Sequence, residues 1–247
     1  MAFEFEDVVQ YSKCNREARL TTTALINYCQ DVATYQSDSI GVGVYHLMPL
    51  HKGWFTISWQ IDVLAMPKYL DRITVGTIVH ESRGSLARRN CYIKDEQGNF
   101  MVKVESVWAF ADSSTGKMCR LLPEITEKYT LEAPLEMEDC GRKIEVLAEM
   151  EERPAFTVGP DILDSNGHVN NGQYVAIAER RYLPAGFPLA RLRAEYKVQL
   201  HEGDRVVPMV GTAALQNGGT IWYVQYFREN GDGDRELSCQ LSLQDRI

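Results

Sequence analysis

RLTTTALINYCQDVATYQ, residues 19–36, and HVNNGQYVAIAERRYLP, residues 168–184, decide the fold between them. Each sets a short polar pair, Thr21–Thr22 or Asn170–Asn171, ahead of an amphipathic run. In the first, Leu25, Tyr28, Cys29 and Val32 recur at helical spacing. In the second, Tyr174, Ile177 and Ala178 do the same until Arg181 breaks the stripe. A polar residue at such a start can bond amides that have no partner inside the helix. Each stretch therefore predicts one helix, buried along one face.

Outward from each helix the period changes from 3.6 to 2. In ARLRAEYKVQL, Leu192, Ala194, Tyr196, Val198 and Leu200 alternate with Arg193, Glu195, Lys197 and Gln199, the pattern of a half-buried strand. GDRVVPMVGTAAL answers the earlier LDRITVGTIVH, with Asp204–Arg205 matching Asp71–Arg72. Two hairpins follow in corresponding places. One turns at Gln97–Gly98–Asn99, the other at Asn230–Gly231–Asp232. Val102, Val104, Ser106, Trp108 and Phe110 alternate after the first turn.

A helix followed by antiparallel strands thus occurs twice, which predicts an α+β chain of two similar domains. The expected boundaries are 1–122 and 154–247. Between them, residues 123–153 carry ten acidic and four basic residues with no sustained apolar period, and read as an exposed linker with room for a helical part.

The 247 residues suffice for two such domains. With 45% hydrophobic residues and a net charge of −8, the chain can build its own cores and repels phosphate backbones, which argues against a nucleic-acid partner. No apolar stretch is long enough to span a bilayer. The opening MAFEFEDVVQ lacks the marks of a secretory signal, so a cytoplasmic location is expected. Six scattered cysteines contain no CxxC pair and suggest buried thiols rather than a metal site. No phosphate-binding loop or metal-ligand spacing is present, and no cofactor is expected.

Chemistry concentrates in DILDSNGHVNNGQY, residues 161–174. Asp164, Asn166 and His168 are spaced two apart, so an extended chain would point them the same way. They precede a helix start, where free amides and the helix dipole can hold a developing oxyanion. An imidazole titrates near neutral pH and can move protons. Asp and Asn before a helix are also ordinary caps. The first copy offers an internal comparison: Asn15, Glu17 and Arg19 stand at the corresponding positions, without a proton-transferring histidine. One site per chain, in the second half, is therefore expected.

HVNNGQY behind an Asp resembles the helix entrance of hotdog-fold thioesterases. The tandem arrangement, with D-x-N-x-H-x-N-N-x-x-Y only in the second copy, looks like the acyl-ACP thioesterases of plants and bacteria. Gly53–Trp54, Asp71–Arg72, the Asp95–Gly98 turn, Trp108 and Leu122–Pro123 fall in the order the resemblance implies. It implies two tandem hotdog domains, each a long helix packed on an antiparallel β-sheet. It also implies hydrolysis of a fatty acyl thioester carried on acyl carrier protein, with Asp164, Asn166 and His168 in the catalytic network. Asn170, Asn171, Trp54 and Trp59 are the expected substrate-side residues, with core packing the alternative for the tryptophans. The chain departs from the family at Gln199, where many relatives carry Glu, and at Leu200, where plant enzymes sometimes carry Cys. Gln199 can hold a water but cannot take its proton; His201 is the residue that could compensate. A basic group, Arg180, Arg181, Arg191, Arg193 and Lys197, is a candidate docking face for the carrier. Two hotdogs in one chain already form a pseudo-dimer, so a homodimer is optional. The rival readings are an acyl-CoA thioesterase, a hotdog dehydratase and a non-catalytic acyl-binding protein.

Overall fold

The computed structural model describes residues 2–216 and 218–246. Its backbone falls into two compact units, residues 1–139 and 140–247.

The first unit opens with strand β1 (Phe3–Val8), which the sequence reading did not anticipate. Helix α1 (Thr22–Ser39) follows, then one helical turn, α2 (Val44–Leu47). Four long strands come next: β2 (Lys52–Val63), β3 (Arg72–Arg83), β4 (Leu86–Lys94) and β5 (Phe100–Asp112). All pairings are antiparallel, in the order β1-β3-β4-β5-β2. A short helix, α3 (Pro123–Thr126), closes this part of the chain.

Helix α1 begins where the sequence placed it. Thr21 caps it, its hydroxyl accepting from the Ala24 amide at 3.1 Å. The stripe of Leu25, Tyr28, Cys29 and Val32 is buried. Each such side chain stabilises the packed state by about 1.5–3 kcal/mol relative to exposure. The opposing sheet face supplies Val75, Cys91, Val104 and Ile61, all buried. Contact between helix and sheet is direct: the Cys91 thiol lies 3.6 Å from the Cys29 carbonyl oxygen.

The second unit repeats the plan with shorter elements. Two two-residue strands, β6 (Glu151–Glu152) and β7 (Phe156–Thr157), precede helix α4 (Asn171–Arg181). Strands β8 (Leu189–Tyr196), β9 (Arg205–Ala214), β10 (Thr220–Glu229) and β11 (Arg235–Asp245) form the antiparallel order β8-β11-β10-β9, with β6 and β7 both on β9. Three tyrosines tie α4 to its sheet. Tyr226 donates to the Tyr174 carbonyl at 2.8 Å, Tyr196 donates to the Asn171 carbonyl at 3.0 Å, and the Tyr174 hydroxyl meets Ser238 Oγ at 3.3 Å. A long helix on an antiparallel sheet in each unit makes the chain two hotdog folds in tandem.

Two differences from the sequence reading bear on the site. Strand β8 ends at Tyr196, and the chain from Lys197 to Leu200 is irregular, so the alternation seen through Leu200 is not strand throughout. The stretch 123–153 is largely exposed and begins with the helical turn α3, but it is also fastened to the units at several points. Ile125 and Ile144 are buried. In the first unit, Gln60 Nε2 donates to the Glu138 carbonyl at 2.8 Å and the Leu135 amide donates to Asn90 Oδ1 at 2.9 Å. In the second, Arg193 Nη2 donates to the carbonyls of Gly141 and Lys143 at 3.0 and 2.8 Å. The backbone of an acidic segment can bond a sheet face while its side chains stay in water, which composition alone does not reveal.

Candidate functional site

The loop before each helix is built the same way. In the second unit, a 3-10 turn (Pro160–Ile162) leads into Leu163, which bridges to Val169. The Asp164 amide donates to the His168 carbonyl at 2.7 Å, and Gly167 donates to the Asp164 carbonyl at 3.1 Å. Asp164 Oδ1 accepts the amides of Asn166 and His168, at 2.8 and 3.2 Å. In the first unit a 3-10 turn (Tyr11–Lys13) leads into Cys14, bridged to Leu20. Asn15 donates to the Arg19 carbonyl at 2.8 Å, and Asn15 Oδ1 accepts the amides of Glu17 and Arg19, both at 3.0 Å. Gly167 and Ala18 occupy the same left-handed position, with φ of 77° and 56°.

This match separates scaffold from chemistry. The Asp164 carboxylate does what the Asn15 amide oxygen does: it folds the loop. Its second oxygen meets Asn166 Nδ2 at 3.4 Å. Asp164 is therefore turned toward its own loop, and the turn at Gly167 prevents the three side chains from projecting in parallel. What the second copy alone provides is an imidazole where the first has Arg19.

His168 is half-buried, and among the described residues neither of its ring nitrogens makes a hydrogen bond. Burial lowers its pKa from the usual histidine value, His201 lowers it further, and Asp164 opposes both. The imidazole is thus held toward its neutral form, with a nitrogen available to accept a proton.

The start of α4 lies beside this loop. Asn170 caps the helix, Oδ1 accepting from Gly172 at 2.8 Å, while its own amide donates to the Ile162 carbonyl at 3.0 Å. Gln173 donates to the Asn170 carbonyl at 2.8 Å. Among the described residues the Asn171 amide has no hydrogen-bond partner, and its carbonyl is the acceptor for Tyr196. One unpaired amide at the positive end of a helix can receive a developing oxyanion.

Gln199 is exposed, beyond the end of β8, and no hydrogen bond joins it to Asp164, Asn166 or His168 among the described residues. His201 does join them. It bridges to His168, and the two rings meet edge to face with centroids 4.8 Å apart. The sequence signal for this contact was the correspondence of Asp204 with Asp71, which fixes the turn carrying His201.

Trp54 and Trp59 lie in the first unit, on β2, with Trp54 packed against the buried cluster of Val42, Leu47 and Phe110. Trp54 packs on Phe110 with centroids 5.1 Å apart and Trp59 on Trp108 at 5.7 Å. The indole nitrogens of both are buried and have no hydrogen-bond partner among the described residues. The basic group is not one open surface. Arg193 is bonded to backbone carbonyls, Arg191 lies 3.3 Å from Cys140 Sγ, and Lys197 pairs with Glu195 at 3.6 Å. Arg181, at the end of α4, stacks on Phe156 instead, 4.8 Å from its ring centroid. Among the described residues no three His, Cys, Asp or Glu side chains gather as they would round a metal ion, and no helix is long and apolar enough to cross a membrane.

Comparison with known proteins gives this geometry a setting. A family model described as the acyl-ACP thioesterase N-terminal domain matches residues 2–129. A chloroplastic palmitoyl-acyl carrier protein thioesterase of Cuphea hookeriana is 29% identical over 129 residues, which is 49% of this chain and 31% of that protein. The chloroplastic oleoyl-acyl carrier protein thioesterase 1 of Arabidopsis thaliana is 20% identical over 240 residues, 89% of this chain and 66% of its own length. The chain thus spans less than two thirds of these relatives. Among solved structures, an acyl-ACP thioesterase from Bacteroides thetaiotaomicron superposes with a TM-score of 0.84 at 20% identity, covering 98% of this chain and 96% of that one. The 12:0-ACP thioesterase from Umbellularia californica gives 0.84 at 16% identity, covering 99% and 94%. At these identities the two structures establish the shared fold.

Proposed function

This chain belongs to the acyl-ACP thioesterase family, and from that premise we propose that it hydrolyses fatty acyl-ACP to free fatty acid and holo-ACP by direct attack of water. The observation that carries the reading is His168: a half-buried imidazole, held toward its neutral form, with unbonded ring nitrogens beside a helix start.

In this mechanism His168 takes a proton from a water as the water's oxygen attacks the thioester carbonyl carbon. Negative charge gathers on the carbonyl oxygen, where the Asn171 amide and the α4 dipole stabilise it. The C–S bond then breaks, and the imidazolium returns the proton to the leaving thiolate, so the base ends as it began. A positioned general base of this kind contributes about 10²–10⁴-fold. Asp164 holds the loop that presents His168, and exposed Asn166 is placed to orient the thioester or the water.

A cysteine nucleophile has no support. Leu200 stands where a thiol would be needed. In the second unit Cys239 is buried, its pKa pushed well up by burial. A thiolate is the nucleophilic form, and burial withholds it.

The test is thiol release from acyl-ACP and from acyl-CoA of the same chain length. Turnover of acyl-ACP, with acyl-CoA the poorer substrate by kcat/KM, is the expected result. Equal or better use of acyl-CoA would move the assignment to another carrier, and no thiol release from either would remove it.

A further inference from the structure

The likeness between the two loops extends to a second turn in each unit. In the first, the Leu20 amide donates to the Pro67 carbonyl at 2.8 Å, and Arg19 bridges to Lys68. In the second, Val169 donates to the Leu200 carbonyl at 2.9 Å, and His168 bridges to His201. The turns that follow are superimposable in their bonding. The Lys68 amide donates to Asp71 Oδ2 at 2.8 Å, as His201 donates to Asp204 Oδ2 at 2.8 Å. Leu70 and Gly203 both adopt positive φ, 69° and 85°.

The fold therefore provides one pair of facing positions in each unit. The first unit fills it with Arg19 and Lys68, a guanidinium and an ammonium side chain. The second fills both positions with imidazoles. A single histidine in the second copy would be enough to give one base. Replacing both residues gives two titratable rings in contact.

We propose that His201 is a positioning residue for the candidate base His168: it fixes the facing ring and opposes a second positive charge beside its own. The inference rests on the assignment of thioester hydrolysis to the His168 loop. His201 is suited to the role because its side chain is 54% exposed and reaches solvent, whereas His168 is recessed. Its backbone is locked by the Asp204 carboxylate, and that carboxylate also lies 3.9 Å from its Nδ1. Like charges on two rings this close repel, so a proton on one opposes a proton on the other. Burial lowers the His168 pKa most, and His201 adds to that lowering in the same direction.

Among the described residues, the other charged groups on the elements that carry the pair are acidic. Asp164 belongs to the His168 loop and Asp161 to the turn before it; Glu202 and Asp204 belong to the His201 turn. The first turn of α4 brings none. With Asp164 engaged by its own loop amides, His201 is the neighbour whose ring meets that of His168.

The test is an NMR pH titration of the His168 ring in the full chain, assigned by its loss in His168→Gln, for wild type, His201→Gln and His201→Lys. The lysine copies the residue that the first unit carries at this position, so that variant has a precedent in the fold. Removing the charge should make His168 about threefold or more easier to protonate, the scale of two charges about 5 Å apart in water. Lysine should keep His168 near or below the wild-type midpoint. The acid limb of kcat/KM on acyl-ACP should move in the same direction, so the ratio of rates at pH 6 and pH 8 falls in His201→Gln. An unmoved His168 titration in His201→Gln would overturn the proposal, and so would a moved titration with an unmoved acid limb. The titration needs no turnover, so a chain that fails to hydrolyse acyl-ACP would sink the functional reading while the ring coupling is still decided.

Discussion

At Asp164 the residue type and the role it performs come apart. A carboxylate two residues before an Asn and four before a His invites a catalytic reading, because alternate residues of an extended chain share a side. The chain there is not extended. Gly167 takes φ of 77°, and Asp164 Oδ1 collects the amides of Asn166 and His168. Asn15 does the same in the first unit with a neutral oxygen. Asp164→Asn should therefore keep the melting temperature close to wild type and kcat within severalfold. Asp164→Ala should lose about 1–2 kcal/mol of stability, together with activity, by freeing two loop amides. Thermal melts and thiol-release rates on both variants check this. A folded Asp164→Asn as inactive as a His168 variant would make the carboxylate a participant in proton transfer. The sequence did reveal the correspondence of Asn15, Glu17 and Arg19 with Asp164, Asn166 and His168. It offered His201 only as a substitute for the carboxylate missing at Gln199; the contact of His201 with His168 depends on a turn thirty-three residues further along the chain.

Helices and hairpins were legible because their periods and turn residues are local signals. Leu25, Tyr28, Cys29 and Val32 gave α1, and Asp95–Gly98 gave the first hairpin. Strand β1 does alternate Phe3 and Phe5 with Glu4 and Glu6, but the run is short and no turn signal marks its partner; its place comes from pairing with β3. That pairing explains a glycine. Gly76 of β3 lies between Glu4 of β1 and Tyr92 of β4. The Tyr92 ring covers it, and the tyrosine hydroxyl donates to Glu4 Oε1 at 2.6 Å. A Cβ at Gly76 would collide with that ring. Gly76→Ala should cost about 1–3 kcal/mol, the usual penalty for overpacking. Denaturant unfolding would measure it, and an unchanged midpoint would mean that the ring swings away freely. Residues 123–153 are exposed over most of their length, as their acidic side chains suggested, but composition did not show that their backbone bonds Gln60, Asn90 and Arg193 through groups that every residue possesses.

Across the whole molecule, one architecture is used twice with two different endings. Both units fold the same loop, cap the same helix start and repeat the same Asp-anchored turn. Only residues 168 and 201 convert a guanidinium and an ammonium side chain into a pair of imidazoles. The scaffold was readable from order and punctuation because a repeated fold repeats its turns even where its residues diverge. The division of labour between the copies was readable only where a residue type changed the available chemistry. The most direct measurement is the rate of thiol release from acyl-ACP by His168→Ala, with its fold verified by circular dichroism and thermal melting. The mutant should fall at least about a hundredfold below wild type in kcat, the scale for losing a general base. Near-wild-type turnover in a folded His168→Ala protein would contradict the assignment.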